Sequence, residues 1–535
     1  MLTQIIFAVL IGVFVSTSEL LAQGTYSLQP TVIGSSDTAD AEPPVIRPAT
    51  HPCKVQLFSG YQFTDYAPQS FSFVPPEDCS GPWSKIVFVG DFSVNGTNQY
   101  DRTAEIQVND VTIYYGTTPE PTPTVQPSWH VESDLTDYAA VFRTAQQGTV
   151  ELGNTVSAGF NGVQTGSAYL EFYPADLRNP PPRTADQVLP LPDLQQNPGA
   201  QKLRTGSDTV SQVLTLPPNI EAAYLDVFTQ GQNEDEVWWL SNPSFREAVI
   251  TLDGRPAGLA PLYPYLYTGT LDPALWRPIP GVQTLNLKPY RVDLTPFVGI
   301  LDDGQPHTIS LSVYNAHDYI NADAVLLVFQ DHGAPQTTGE LLSDNLTGVT
   351  APVVERDTVN QDITVTTNYA QSYKIRGYVN TSHGHIETEV ESSVTFSNVN
   401  AATPTFSQIS QLTTATRKST TNNGLLQTVH EDTLTFPLVF KTSGETLSFD
   451  QKLTEQKKIT VGGFPVYESQ LLDDVAPVVT ITSDSAAESV TSSETYHFRD
   501  TDGRCWKRQV SAVDGAVSAV QDGLGCAGDV NVWHE

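Results

Sequence analysis

The segment Phe245-Arg-Glu-Ala-Val-Ile-Thr-Leu-Asp-Gly254 predicts a β-hairpin, because its apolar residues alternate up to an Asp253-Gly254 turn. Before it lies Asn233-Glu-Asp-Glu-Val-Trp-Trp-Leu-Ser-Asn-Pro243. This stretch combines three carboxylates with the pair Trp238-Trp239 and the amide of Asn242. Acid groups beside flat aromatic faces suit a sugar, whose C–H faces stack on rings while its polar groups meet carboxylates. The alternative is a solvated acidic loop beside a half-buried aromatic pair.

A counterpart of this stretch lies near residue 100, which predicts an internal repeat. Both copies have, in the same order, an acidic residue, a hairpin turn, a Pro-rich loop, an Asp-Leu-Thr sequence and two strands. In the first copy these are Asp101, Asn109-Asp110, 118–127, Asp134-Leu-Thr136, 149–152 and 168–173. In the second they are Glu236, Asp253-Gly254, 261–280, Asp293-Leu-Thr295, 308–313 and 324–329. We interpret the repeat as two β-sandwiches of related, jelly-roll topology.

Composition supports this class and excludes some partners. The 535 residues include 38 Pro and 36 Gly and are 39% hydrophobic, which favours many short strands around real cores. Sixty acidic against 27 basic residues give a formal charge of −33, so nucleic acid and anionic lipid would be repelled. After residue 22 no stretch is apolar enough for a transmembrane helix, and we expect no membrane partner.

The N-terminus and the cysteines indicate secretion. An apolar run from Ile5 to Val15 precedes a plausible cleavage site at residue 22, although Lys and Arg are missing before the run. Cys53 and Cys79 flank one short segment, and Cys505 and Cys526 flank another. Pairing of neighbours would close two modest disulfide loops, but four cysteines allow three connectivities. The sequence contains no Cys-x-x-Cys pair, so we do not expect the cysteines to form a metal site.

The predicted fold class is all-β, with two jelly-roll-like β-sandwich domains packed side by side and a C-terminal antiparallel β region. The predicted bounds are a signal peptide (1–22), a leader (23–50), the first domain (51–176), a Pro-rich linker (177–215), the second domain (216–334) and the C-terminal β region (335–535). Within the last region, His383-Gly-His385 has the spacing of strand metal ligands, but we interpret it as a surface pair.

Four segments together resemble the peptide N-glycanase A family of secreted amidases that remove N-linked glycans. They are Trp238-Trp-Leu-Ser-Asn-Pro243, Arg246-Glu-Ala-Val-Ile-Thr-Leu-Asp-Gly254, Pro273-Ala-Leu-Trp-Arg-Pro278 and Tyr290-Arg-Val-Asp-Leu-Thr-Pro-Phe297. The same sites also look like those of the bacterial peptide N-glycosidase F family, a pair of jelly rolls. Its Trp-Asp-Arg motif is similar to Tyr100-Asp101-Arg102, and its second-domain Glu-Trp is similar to Glu236 with Val237 intervening before Trp238. A third carboxylate of that family has no match, since Asn154 lies near its place.

The resemblance implies an amidase site between the two domains, with Asp101 and Glu236 as catalytic residues. Asp101 would activate water or hold the substrate, and Glu236, with a pKa raised by Trp238 and Trp239, would deliver the proton. Arg102 or Arg277 would face the oxyanion, and Trp276 would stack on the chitobiose core. Without the repeat, a surface ion pair before a hairpin would be the favoured interpretation of Asp101-Arg102. Arg277 could equally brace its loop.

We therefore predict a secreted, monomeric amidase that hydrolyses the GlcNAc–Asn bond of N-linked glycopeptides or glycoproteins. It would release the glycan as a glycosylamine and convert Asn to Asp, without a cofactor or metal. Two alternatives are a non-catalytic glycan-binding or adhesive β protein and an endoglycosidase that cuts within the chitobiose core. A Ser-His catalytic arrangement is not indicated, because no Gly-x-Ser-x-Gly motif is present.

Overall fold

A computed structural model describes residues 31–192, 200–262, 276–481 and 486–523 of the protein. Within these ranges the chain is built from strands in antiparallel sheets, which confirms the all-β fold class. Its helical segments are α1 (Val298–Leu301) and short 3-10 turns at Glu77–Cys79, Thr136–Arg143, Asn233–Asp235, Trp238–Leu240 and Thr295–Phe297. No helix of the described residues is long and apolar enough to span a membrane.

The first unit consists of two four-stranded sheets around one core. Its strands are β1 (Cys53–Phe63), β2 (Gln69–Phe73), β3 (Trp83–Val94), β4 (Thr103–Val108), β5 (Val111–Thr117), β6 (Ser128–Asp134), β7 (Gln146–Leu152) and β8 (Gln164–Pro174). The sheets have the orders β1-β8-β3-β6 and β2-β7-β4-β5. Alternate side chains of both sheets, among them Phe73, Phe88 and Phe172, meet in the core.

The second unit repeats this arrangement. Its strands are β9 (Gln187–Pro190), β10 (Gln201–Leu203), β11 (Val210–Thr215), β12 (Ile220–Gln232), β13 (Glu247–Leu252), β14 (Arg255–Pro261), β15 (Tyr290–Asp293), β16 (Pro306–Tyr314) and β17 (Tyr319–Gln330). The sheets have the orders β10-β17-β12-β15, with β9 also on β17, and β11-β16-β13-β14. Adding nine to every strand number of the first unit gives the order of the second. The structure thus contains the predicted duplication, while jelly-roll topology stays our interpretation.

Local details of the repeat also agree between the units. Both hairpins turn through two residues of positive φ, Asn109 (51°) with Asp110 (63°) and Asp253 (50°) with Gly254 (78°). Two positive φ values give a type I′ turn, whose twist matches that of the flanking strands. In each Asp-Leu-Thr sequence, the aspartate accepts the threonine N–H: Thr136 to Asp134 at 3.0 Å and Thr295 to Asp293 at 2.9 Å.

Residues 177–215, predicted as a linker wrapping the surface, instead supply three strands. β9, β10 and β11 all pair with strands of the second unit. Pro190, the last residue of β9, is accommodated because β9 lies at an edge, where a residue without an N–H breaks no interior ladder. The second unit therefore includes this part of the chain.

The C-terminal region forms one eleven-stranded antiparallel sheet, with β19 on β20 beside the path β18-β20 to β28. Its strands are β18 (Thr338–Asp344), β19 (Val353–Val359), β20 (Asp362–Thr381), β21 (Gly384–Thr403), β22 (Phe406–Asn422), β23 (Gln427–Ser443), β24 (Thr446–Val461), β25 (Phe464–Ile481), β26 (Ala486–Asp500), β27 (Cys505–Val513) and β28 (Ala516–Asp522). One face packs on the second unit, and the other carries polar side chains, as the alternating pattern predicts.

The described part of the leader, residues 31–50, contacts the first unit and the C-terminal sheet. Arg47 forms buried ion pairs with Glu132 (2.6 Å) and Glu171 (2.9 Å) of the first unit. Further back, Gly34 N–H donates to the carbonyl of Val517 at 2.8 Å. The segment thus runs as a strap from the first unit to the end of the C-terminal sheet.

One predicted disulfide is present. Cys53 and Cys79 are bonded, with their Cα atoms 6.1 Å apart. Cys505 is also disulfide-bonded, but Cys526 lies outside the described residues, as does the predicted signal peptide.

Candidate active site

The repeat brings the two predicted catalytic acids together. Asp101 ends the loop between β3 and β4, and Glu236 lies in the equivalent loop between β12 and β13. The two loops meet because Thr103 Oγ donates to Gln230 Oε1 at 3.2 Å and accepts from Gln232 Nε2 at 3.3 Å. The beginning of β4 is thereby joined to the end of β12.

Asp101 has a strongly perturbed acidity. Burial, the negative charge of Glu236 and the negative charge of Glu120, in that order, raise the pKa of Asp101 to about 7, against the opposing charge of Arg102. A carboxyl group with a pKa near neutrality holds a proton at mildly acidic pH and releases it easily. Asp101 can therefore serve as a proton donor.

Glu120 is a third carboxylate that the sequence did not single out. The Asp101 N–H donates to Glu120 Oε1 at 3.4 Å, and burial and Glu236 raise the pKa of Glu120. Hairpin register explains the position: Thr103 pairs with Thr117, so the residues after Thr117 run back alongside Arg102 and Asp101. Counting residues outward from the predicted Asn109-Asp110 turn would have placed Thr118 opposite Asp101, because such counting leaves out the β-bulge between Ile106 and Gln107.

Asn154, considered for this third acid, has a structural role. Its side chain is fully buried, and its amide donates to the carbonyls of Phe63 at 2.9 Å and Gly162 at 3.1 Å. It therefore braces the loops beneath the site.

The three consecutive acids of the second loop point in different directions. Asp235 is fully buried, pairs with Arg246 at 2.8 Å, and accepts the N–H groups of His317 and Asp318 at 2.8 and 2.9 Å. Glu234 is exposed and lies 3.2 Å from His317. Glu236 is the acid whose charge acts on Asp101. The preference for Glu236 over its neighbours stays a prediction.

Tyrosine rings border the acids. Tyr66 and Tyr100 are 56% and 53% exposed, and the Arg102 guanidinium lies 6.0 and 5.6 Å from their ring centres. Tyr100 also contacts Phe160, with ring centres 4.6 Å apart. Such exposed faces can stack on a sugar ring, and of these residues the sequence pattern indicated only Tyr100.

The three predicted tryptophans do not provide this surface. Trp238 (6% exposed) and Trp239 (0%) pack on Phe396 and Phe440 of the C-terminal sheet, and Trp276 (1%) belongs to the core of the first unit. A buried ring has no free face for a sugar, so their predicted stacking on substrate is not compatible with this structure. Their apolar rings cover the joints between units instead.

The other two predicted binding residues are placed outside this group of acids. Arg277 has Asp37 of the leader as its electrostatic neighbour, and burial lowers the pKa of its guanidinium. Asn242 is exposed next to a cis bond to Pro243. The bracing alternative for Arg277 agrees with its position, whereas binding by Asn242 stays a prediction.

One group of described residues has the composition of a metal site. Ligand atoms of Glu221, Asp331 and His383 lie within 4.8 Å of one another. However, Arg183 also pairs with Glu221, and Asp331 accepts hydrogen bonds from the backbone and hydroxyl of Ser382. We interpret the group as a polar contact between the second unit and the β20–β21 turn.

Comparisons with known proteins point to one activity. The family model described as "Peptide N-acetyl-beta-D-glucosaminyl asparaginase amidase A" matches residues 43–331. A curated relative from Prunus dulcis, peptide-N4-(N-acetyl-beta-glucosaminyl)asparagine amidase A, is 28% identical over 388 residues, 66% of this chain and 67% of the relative.

Solved structures show weaker likeness. PNGase F from Flavobacterium meningosepticum is 13% identical with a TM-score of 0.37, covering 52% of this chain and 96% of its own. PNGF-II in its C2 crystal form is 16% identical with a TM-score of 0.37, covering 53% and 66%.

Proposed function

The chain belongs to the peptide N-acetyl-β-D-glucosaminyl asparaginase amidase A family, and from this premise we propose that Asp101 and Glu236 hydrolyse the GlcNAc–Asn bond in a secreted enzyme. It is an N-glycan amidase whose substrate is a glycopeptide or glycoprotein. The observation that carries the assignment of residues is the convergence of Asp101 and Glu236 from equivalent loops of two repeated units.

The roles of the two acids follow from their surroundings. Water attacks the carbonyl carbon of the Asn side chain, and Glu236 accepts its proton. Protonated Asp101 then gives a proton to the leaving nitrogen as the C–N bond breaks. The products are an Asp side chain and a glycan with a free glycosylamine. Transfer of the proton from Glu236 to Asp101 restores the starting state. These roles reverse the sequence-based assignment, because burial and two acids surround Asp101 while Trp238 and Trp239 lie in the core.

Secretion is supported by two features. The sequence begins with an apolar run of signal-peptide length, and the described chain contains the Cys53–Cys79 disulfide. Disulfides persist in oxidising compartments. Detection of the mature protein outside the cell, beginning near residue 23, would test this part.

The activity is tested by incubating the protein with an N-glycopeptide at mildly acidic pH in 18O-labelled water. We expect the glycosylated Asn to become Asp with one labelled oxygen, because water adds to the amide carbon. A GlcNAc left on Asn would instead identify an endoglycosidase. Unchanged glycopeptide that stays bound would identify a glycan-binding protein.

A further inference from the structure

Two cations lie on one aromatic ring at the edge of the candidate active site. Lys202 Nζ is 5.0 Å from the ring centre of Tyr319, and the guanidinium carbon of Arg204 is 5.5 Å from it. Both cations are exposed. Both distances are within the range of cation–π attraction. We call these three residues the cation shelf.

Sheet register places the shelf next to the catalytic acids. Tyr319 pairs with Gln232, the residue that hydrogen-bonds to Thr103, and Lys202 pairs with Asn321 on the other side of β17. Burial and then the charges of Asp318, Tyr66 and Glu236 raise the pKa of Tyr319, and the charge of Arg204 opposes this, so Glu236 lies close to the ring. The shelf and the acids therefore share one rim.

The positive charge of the shelf is not neutralised by contact. Neither Lys202 nor Arg204 forms an ion pair with a carboxylate among the residues that the structure describes. Glu151 and Asp208 are electrostatic neighbours, but neither is close enough to pair with the amine or the guanidinium. The whole chain has a net charge of −33, so its overall field repels anions. Lys202 and Arg204, which lie beside the three active-site acids, form a local positive site within that field.

We propose that the cation shelf binds a carboxylate of the substrate, supplied by an acidic residue of the peptide close to the glycosylated Asn. This rests on the proposed function of the neighbouring acids. GlcNAc itself has no acid group, so the nearest carboxylates belong to the peptide. β10 lies two strand spacings from β12, roughly 10 Å. An extended peptide covers that distance in about three residues. The shelf therefore favours Asp or Glu within about three positions of the cleaved residue.

The experiment compares two glycopeptides that differ in a single residue, three positions along the peptide from the glycosylated Asn. This residue is Asp in one peptide and an unglycosylated Asn in the other. For the unaltered protein we expect kcat/KM to be about three- to tenfold higher for the Asp peptide, through KM, and this preference to weaken with salt. In the variant K202Q/R204Q the ratio should fall to about one. The control variant R356Q/K441Q, which removes two cations from the C-terminal sheet, should keep the preference.

Two results would overturn the shelf: equal kcat/KM for both peptides, or a preference that K202Q/R204Q retains. Binding of both peptides to Asp101→Asn gives a second measurement that does not need turnover, and we expect the same ratio in Kd. These experiments distinguish failure of the proposed function from failure of the shelf. If the proposed function is wrong, neither peptide has its glycosylated Asn converted to Asp, but the ratio of the two Kd values still shows whether the shelf binds a carboxylate.

Discussion

Asp101 shows how a single side chain is tuned by its position. Burial and two neighbouring carboxylates all disfavour its charged form, and the adjacent Arg102 offsets only part of this. Ionising Asp101 therefore costs additional free energy in the folded protein but not in the unfolded chain. Since its folded pKa of about 7 exceeds the ordinary value of 3.8, folding stability declines as pH rises between these values.

Replacing Asp101 by Asn should therefore separate activity from stability. We expect kcat to fall by about 10²–10⁴-fold, because Asn cannot donate the proton. The Tm at pH 8 should rise, because the buried charge is gone. Glycan release and thermal unfolding measure the two effects, and Glu234→Gln, an exposed neighbour, is the matched control. Near-native activity of the Asn variant would remove Asp101 from the mechanism.

The charge of Glu120 should be visible in the pH profile. If Asp101 acts as the proton donor, activity falls as pH rises through its pKa. Glu120→Gln removes one of the negative charges that raise that pKa, so the alkaline limb should move to lower pH, by up to about one unit. The kcat profile of the variant, compared with that of Glu234→Gln, checks this. An unmoved limb would mean that Glu120 does not act on Asp101.

At the scale of elements, the site is set by how two strands are joined. One partly buried hydrogen-bond cluster joins β4 and β5 to β12, and it consists of Thr103 Oγ, Gln230, Gln232 and the hydroxyl of Tyr115. The acids lie two residues before Thr103 and four residues after Gln232. The cluster therefore fixes the separation of Asp101 from Glu236.

Thr103→Val keeps the shape of the side chain and removes the hydroxyl. We expect a fall in kcat of roughly 10–100-fold with little change in KM, because the acids shift relative to each other while the substrate surfaces persist. Thr103→Ser restores the hydroxyl and should restore most of the rate. A change confined to KM, or equal loss in both variants, would contradict the positioning role.

The hairpins could be predicted from the sequence because two-residue turns with Asp, Asn and Gly impose their own geometry. The β9–β11 strands could not, since Leu189-Pro-Leu-Pro192 has the composition of a linker and only tertiary pairing with β17 makes it an edge strand. Asp101 and Glu236 are indicated as candidates by the repeat together with the family resemblance. Glu120 could not be predicted, because its place depends on cross-strand register. The burial of Trp238 and Trp239 could not either, because the C-terminal sheet that covers them lies more than 150 residues away along the chain. Trp276 is buried in the core of the first unit, which is also remote in the sequence.

At the scale of the whole molecule, the C-terminal sheet supports the loop that carries Glu236. Trp239 is fully buried against Phe440, and its carbonyl accepts a hydrogen bond from Asn398 at 3.1 Å. Phe245, at the other end of the loop, contacts Tyr369, with ring centres 4.0 Å apart. The sheet therefore acts as a backing for the site, although it contributes none of the three acids.

Replacing Trp239 tests this backing against the sugar-stacking role predicted from the sequence. Trp239→Ala should lower the free energy of unfolding by about 3–5 kcal/mol, as expected when a large buried ring is lost, and Trp239→Phe should recover part of it. Tyr100→Ala, at an exposed ring, should instead raise KM with little effect on Tm. Thermal unfolding and kinetics on one glycopeptide compare the three variants. If Trp239→Ala raised KM at unchanged Tm, the ring would belong to the substrate surface, and the C-terminal sheet would have no part in holding Glu236.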